Sequence, residues 1–218
     1  MTKNTPNTVA TLLAGAALGL GAAVPFVATA GPDKDKDGSM SLEDAMQMDP
    51  AAIMQMMQEM SLPDEHHKFF EGMTGTYDMT AKFWMDPTAE PEVSKGTCTV
   101  KTILGGRFLI SDVEMDLNFG GMEMPMQGMS VMGYSRPTKE YQTIWIDTFN
   151  TNMTVQRGDM HEGNLAVIGE TATPFGPSKL KNVYITRENG YDLEFWEPNP
   201  MTGELMKTGI IEHRKSQG

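Results

Sequence analysis

Residues 179–198 read KLKNVYITRENGYDLEFWEP, which places two segments rich in β-branched and aromatic residues on either side of Asn189-Gly190. An Asn-Gly pair is typical of a two-residue type I′ turn, because both residues tolerate positive φ. The stretch therefore predicts a β-hairpin with this dipeptide at its tip.

Similar strand-like segments follow one another along most of the chain, separated by Gly, Pro, Asn and Asp residues. They lie near 75–85, 93–103, 106–117, 127–136, 140–149, 151–158, 164–170, 179–188, 191–198 and 204–214. Regularly spaced short strands favour a barrel or a sandwich. We predict a mainly β fold, an antiparallel up-and-down β-barrel of about ten strands over residues 63–218, preceded by short helices.

Residues 1–30 have the composition of an export signal. Lys3 precedes an uncharged apolar run from Val9 to Val27, and Ala28-Thr29-Ala30 has the small-x-small form of a cleavage site. We therefore predict a signal peptide and a secreted or periplasmic protein with no stable membrane span after cleavage. The alternative is that the run stays uncleaved as an anchor.

Residues 31–62 form a separate region that opens with an EF-hand-like loop. Carboxylates two residues apart, followed by Gly38, suit the oxygen coordination of Ca²⁺. The candidate ligands are Asp33, Asp35, Asp37, Ser39, Ser41 and Asp44. Asp44 is shorter than the usual bidentate Glu, so a solvated charged linker is the alternative interpretation.

A methionine-rich helix is predicted after this loop. Asp49-Pro50 provides an N-cap and an N1 proline, and Ile53, Met56, Met57 and Met60 form one apolar stripe at helical spacing. We expect this helix, within 50–60, to pack on the barrel or on a protein partner.

Methionine is frequent throughout, with 21 residues in the chain. Thioethers suit Cu(I), and the run Met122-Glu-Met124-Pro-Met126 has the alternating spacing of such sites. Methionine is also an adaptable filler of apolar contacts. The sequence leaves open a copper site, a protein-interaction surface and ordinary packing.

The run His67-Lys-Phe-Phe-Glu-Gly-Met-Thr-Gly75-Thr-Tyr77 resembles the opening motif of the domain-of-unknown-function family 1579. The segments similar to its later blocks are Leu104-Gly-Gly-Arg107, the Gly/Met-rich loop 120–129, Gly133-Tyr134, Trp145-Ile-Asp147 with Thr151, Gly158, Gly169 and His213-Arg214.

This resemblance covers roughly residues 64–215 and implies a lipocalin-like, calycin-type barrel. It brings no established activity. The chain departs from the family pattern at Tyr77, where Trp is usual, at Ser135, where Asp is frequent, and at His213, near a usual Tyr.

The candidate ligand-binding residues are Trp145, Asp147, Tyr134, Arg107 and Glu194. Trp145 and Asp147 share one strand face, because side chains alternate with a period of two, and they pair an aromatic wall with a polar anchor. The alternative is that Trp145 belongs to the barrel core and Asp147 caps a turn.

The predicted function is binding of a small, partly apolar ligand without catalysis, so no catalytic residue is assigned. The alternatives are an enzyme that uses barrel-mouth carboxylates, Asp147 and Glu194, and a methionine-rich interaction or Ca/Cu-binding module. A net charge of −12 argues against nucleic acid as a partner, since phosphate binding needs clustered Lys and Arg.

Overall fold

The structure is a computed structural model that describes residues 47–86, 88–173, 176–199 and 201–217. The chain divides into two compact units, Met1–Ser61 and Leu62–Gly218. The predicted signal peptide over 1–30 and the EF-hand-like loop over 33–44 lie outside the described residues and stay predictions. Within the described part, no helix has the length and apolar character needed to cross a membrane.

In the first unit, the structure describes one helix, α1, over Pro50–Met60. It begins as predicted: Asp49 is the N-cap, its carboxylate accepts a hydrogen bond from the Ala51 N–H at 2.8 Å, and Pro50 occupies the first turn. Both features satisfy or remove an N–H group that the helix itself leaves unpaired.

The second unit is a closed antiparallel barrel, which confirms the predicted fold class. Its strands are β1 Gly75–Phe83, β2 Glu92–Ile103, β3 Phe108–Phe119, β4 Met122–Ser135, β5 Glu140–Asp147, β6 Thr154–His161, β7 Asn164–Thr173, β8 Gly176–Arg187, β9 Gly190–Pro198 and β10 Leu205–Lys215. Each strand pairs with its neighbours in the chain, and β1 pairs with β10. Closure pairs every strand on both sides, so no sheet edge remains exposed.

Two local expectations are wrong. The segment 120–129 is not a loop: Gly120 and Gly121, with φ of 59° and 82°, make a tight turn, and β4 starts directly after it. Its alternating residues pair in register with β3, from Phe119↔Met122 onward. Methionine and glycine thus belong to the strand here, because the pairing of a long hairpin overrides weak strand propensity.

The hairpin between β8 and β9 is confirmed, but its turn is not type I′. The two turn residues are Glu188 and Asn189, and neither has positive φ. Gly190, with φ of 133°, opens β9, and a Cβ there would lie 2.0 Å from the His213 carbonyl oxygen. Glycine is required at this position because two backbones approach closely.

One end of the barrel is covered by a 3-10 turn, Glu65–His67, and helix α2, Lys68–Met73. Tyr77 Oη donates to the Met73 carbonyl at 2.6 Å, and Tyr141 Oη donates to the His66 carbonyl at 2.9 Å. The β2–β3, β4–β5, β6–β7 and β8–β9 turns surround this helix-capped end. The β1–β2, β3–β4, β5–β6 and β9–β10 connections meet at the opposite end, the loop end.

Candidate functional site

A cavity of about 300 Å³ lies inside the barrel, lined by inward side chains of β1 to β10. The lining changes along the barrel axis. Buried aromatic and thiol groups form a floor above the helix-capped end, amides and hydroxyls form a band in the middle, and mostly apolar side chains form the wall toward the loop end.

The floor carries groups that are neutral at pH 7. Tyr191 stacks on His213 with ring centroids 4.0 Å apart and an interplanar angle of 14°. Burial lowers the pKa of His213 to about 4, so its ring is uncharged. Burial likewise raises the pKa of the Cys98 thiol to about 12, so it is not a thiolate nucleophile.

The middle band is a hydrogen-bonded set centred on Gln156. Its Oε1 accepts from Asn182 Nδ2 at 3.1 Å and from Thr143 Oγ1 at 3.5 Å. Asn182 is 7% exposed, and within the described residues its Oδ1 has no hydrogen-bond partner. The band thus places a few polar groups, joined by hydrogen bonds across the barrel interior, within an otherwise mainly apolar lining.

Trp145 forms part of the wall and is held from two sides. Its ring lies over Gly128, where a Cβ would come within 2.3 Å of the ring, so glycine leaves space for the indole. Its Nε1 donates to Asp147 Oδ2 at 2.7 Å. Asp147 Oδ1 accepts from the backbone N–H groups of Phe149 at 2.8 Å and Asn150 at 3.0 Å. Trp145 therefore faces the cavity, and Asp147 links Trp145 to the following turn by accepting hydrogen bonds from both.

Toward the loop end the wall contains an aromatic pair and one carboxylate. The rings of Phe83 and Phe195 have centroids 5.6 Å apart. Glu197 also lines the cavity, on the same face of β9 as Phe195. The residue as a whole is exposed to solvent. Partial burial by the wall raises the pKa of its carboxyl above the ordinary value.

The other predicted site residues lie away from the cavity. Tyr134 stacks on His66 at the helix-capped end, with centroids 4.1 Å apart. Arg107 sits in the β2–β3 turn and donates to the Leu104 carbonyl at 2.9 Å. Glu194 lies on the outer face of β9, 3.1 Å from Lys207 Nζ. The structure thus brings none of these three together with Trp145.

The sequence-based set does not include Gln156, Asn182, Glu197 or His213. Side-chain alternation along β9 places Glu197 on the same face as Tyr191 and Phe195, so the sequence pattern alone indicates that Glu197 faces inward. Nothing in the sequence signals that Gln156 meets Asn182, because β6 and β8 are separated by β7 and the contact crosses the barrel interior.

The described residues hold no cluster of three or more His, Cys, Asp or Glu side chains able to bind a metal ion. Met79, Met115 and Met126 line the cavity, where thioethers supply apolar, adaptable wall. The copper alternative receives no added support from this placement.

A profile of the family described as Protein of unknown function (DUF1579) matches residues 62–189. The chain belongs to this family. The expected resemblance is confirmed, and the DUF1579 match spans the helix cap and β1 to β8, while β9 and β10, with Glu197 and His213, follow it. No curated protein matches the chain.

Proposed function

We propose that this DUF1579 barrel is an exported protein that binds a small, partly apolar molecule in its cavity without transforming it. The observation that carries the proposal is the cavity itself, about 300 Å³. This volume is at the lower end of the range of roughly 300–1,000 Å³ typical of small-molecule sites.

A cavity of this size departs from the dense packing of most protein interiors. Protein interiors are packed as densely as organic crystals, and unfilled volume forfeits dispersion contacts along its lining. Ser111 and Ser130, which pair directly across β3 and β4, present small side chains to the cavity where larger ones would fill it. Retaining space at this cost is expected when a ligand occupies it.

The lining matches a ligand with an apolar body and one hydrogen-bonding group. The wall around Trp145 and Phe195 offers apolar and aromatic contact, and the middle band around Gln156 offers a small number of polar groups. A ligand hydroxyl or N–H group paired with this band would gain orientation and specificity, because few other polar groups compete for it.

The catalytic alternative is not favoured by the geometry of its own residues. Asp147 is engaged by Trp145 and by two backbone N–H groups of the following turn. Glu194 is on the other side of the sheet, where it accepts from Trp196 Nε1 at 3.0 Å. The two carboxylates therefore do not form the mouth pair that acid–base catalysis requires.

The proposal is tested by uptake of N-phenyl-1-naphthylamine, a neutral apolar fluorescent probe, by wild-type protein and by Trp145→Ala. We expect saturable uptake by wild type and an affinity at least about fivefold lower in Trp145→Ala, because a cavity-wall aromatic is lost. Trp196→Ala is the matched control, since that indole lies on the outer face of β9, and it should bind as wild type does.

Far-UV circular dichroism verifies that both variants keep the sheet. If wild-type protein takes up no probe, the binding function is wrong. If the two tryptophan variants bind equally, the probe site is not this cavity.

A further inference from the structure

The charge on the cavity lining is negative only. Among the described lining residues there is no Lys or Arg, and Glu197 is the one side chain that carries a charge at pH 7. His213, the other candidate, is neutral because burial lowers its pKa to about 4.

Glu197 also lacks the counter-ion that Glu194 on the same strand and Glu212 on the adjacent strand have. Glu194 reaches Lys207 at 3.1 Å and Glu212 reaches Lys82 at 2.7 Å. Within the described part of the chain no hydrogen bond or ion pair involves the Glu197 carboxylate. Lys207, on the adjacent strand, is directed to the outer face and to Glu194.

The position of this carboxylate is suited to a ligand that extends from the middle band to the mouth. Phe195 pairs directly with Asn182 across β8 and β9, and Glu197 follows Phe195 by two residues. Two residues of strand span roughly 7 Å. A molecule in the cavity can thus reach the amide band with one part and the carboxylate with another.

The surroundings of Glu197 favour positive charge. Phe83 and Phe195, whose ring centroids are 5.6 Å apart, line the same cavity as Glu197, and Phe195 precedes Glu197 by two residues on the same strand face. Aromatic faces attract organic cations, more strongly where water is partly excluded. A ligand anion would meet the carboxylate and no cation, so it would lose its hydration without compensation.

We propose that the ligand is a small apolar amine or another organic cation, whose hydrocarbon body fills the cavity and whose positive group lies against Glu197 at the loop end. This inference rests on the proposed binding function and adds the chemical class of the ligand. The ammonium group stays partly hydrated at the mouth, which keeps its desolvation cost low.

The test compares three probes with the same chain and different head groups: n-octylammonium, n-octanol and n-octanoate. Their affinities are measured at pH 7 and low salt by displacement of N-phenyl-1-naphthylamine. We expect n-octylammonium to bind about tenfold more tightly than n-octanol, and n-octanoate to bind most weakly.

Two variants, each removing one carboxylate from β9, show which carboxylate causes the preference for the ammonium probe. Glu197→Gln should reduce the ammonium-to-alcohol affinity ratio to about 1–2, because the attracting carboxylate is gone. Glu194→Gln, on the outer face, should leave the ratio as in wild type. Denaturation midpoints of both variants verify that the barrel remains folded.

Each outcome has a distinct meaning. An ammonium preference that disappears only in Glu197→Gln supports the inference. Equal binding of the three probes, tighter binding of octanoate, or a preference that survives in Glu197→Gln overturns the cation inference and leaves the binding function standing. Failure of all three probes, together with absent fluorescent-probe uptake, overturns both.

Discussion

The two ends of the barrel differ in how closely their inward-facing side chains are packed. At the helix-capped end, Phe70 and Tyr77 are 0% exposed, and the Tyr77 hydroxyl is satisfied by a backbone carbonyl of α2. At the loop end, Phe83 and Phe195 are only half-buried and face a cavity. One end of the barrel thus provides packing that stabilises the fold, while the other end keeps an open cavity.

The carboxylates at the two ends differ in whether positively charged side chains pair with them. Asp192, near the helix-capped end, is desolvated, yet hydrogen bonds and charges from Arg187 and Arg214 more than offset that effect and lower its pKa. Glu197, at the loop end, is desolvated without such partners, and its pKa is raised. A carboxylate that stabilises the fold is thus paired, and the one in the proposed site is left available.

The largest expected effect is on core packing at the helix-capped end. Phe70→Ala should lower the free energy of unfolding by about 3–5 kcal/mol, since a fully buried ring leaves a void. Phe83→Ala, the matched change at the loop end, should cost less than about 2 kcal/mol, because part of its ring already contacts empty space. Urea unfolding monitored by circular dichroism measures both; equal losses would contradict the division between the two ends.

A smaller effect is expected from the ion pairs around Asp192. Its carboxylate lies 2.6 Å from Arg187 Nε and 2.7 Å from Arg214 Nη1. Asp192→Asn should lower the free energy of unfolding at pH 7 by about 1.5–3 kcal/mol, the range for hydrogen bonds to charged groups.

The pH dependence of this effect has a defined sign. Because the folded-state pKa of Asp192 is lowered, its contribution is complete above the unfolded value near 3.9 and is lost as pH falls through the folded value. The stability difference between wild type and Asp192→Asn should therefore shrink below about pH 4. Urea midpoints measured between pH 3 and 7 check this, and a difference independent of pH would exclude the ionised pair as its source.

The fold was accessible from the sequence because strand alternation and turn residues act locally. The Asp49 cap of α1, the succession of strands and the hairpin at 187–190 follow from such local signals. The first part of β4, residues 122–126, did not, because its Met residues pair with β3 through register, which is a tertiary property.

The candidate site could be predicted only in part from the sequence, for a related reason. Alternation tells which face a side chain occupies, but not its level along the barrel axis, which depends on the stagger between strands. Tyr134 and Trp145 are both inward residues of neighbouring strands, yet one meets His66 at the helix-capped end and the other lines the cavity. Glu197 is identified as an inward-facing residue only when the alternation is extended to the last residues of β9.

The central claim is that a small molecule occupies the barrel cavity, and filling that cavity tests it most directly. Ser111 lines the cavity, so Ser111→Phe places an additional ring in the space assigned to the ligand. The affinity for N-phenyl-1-naphthylamine should fall at least about tenfold, while the urea midpoint stays equal or rises. Wild-type affinity in a folded Ser111→Phe protein would contradict the account.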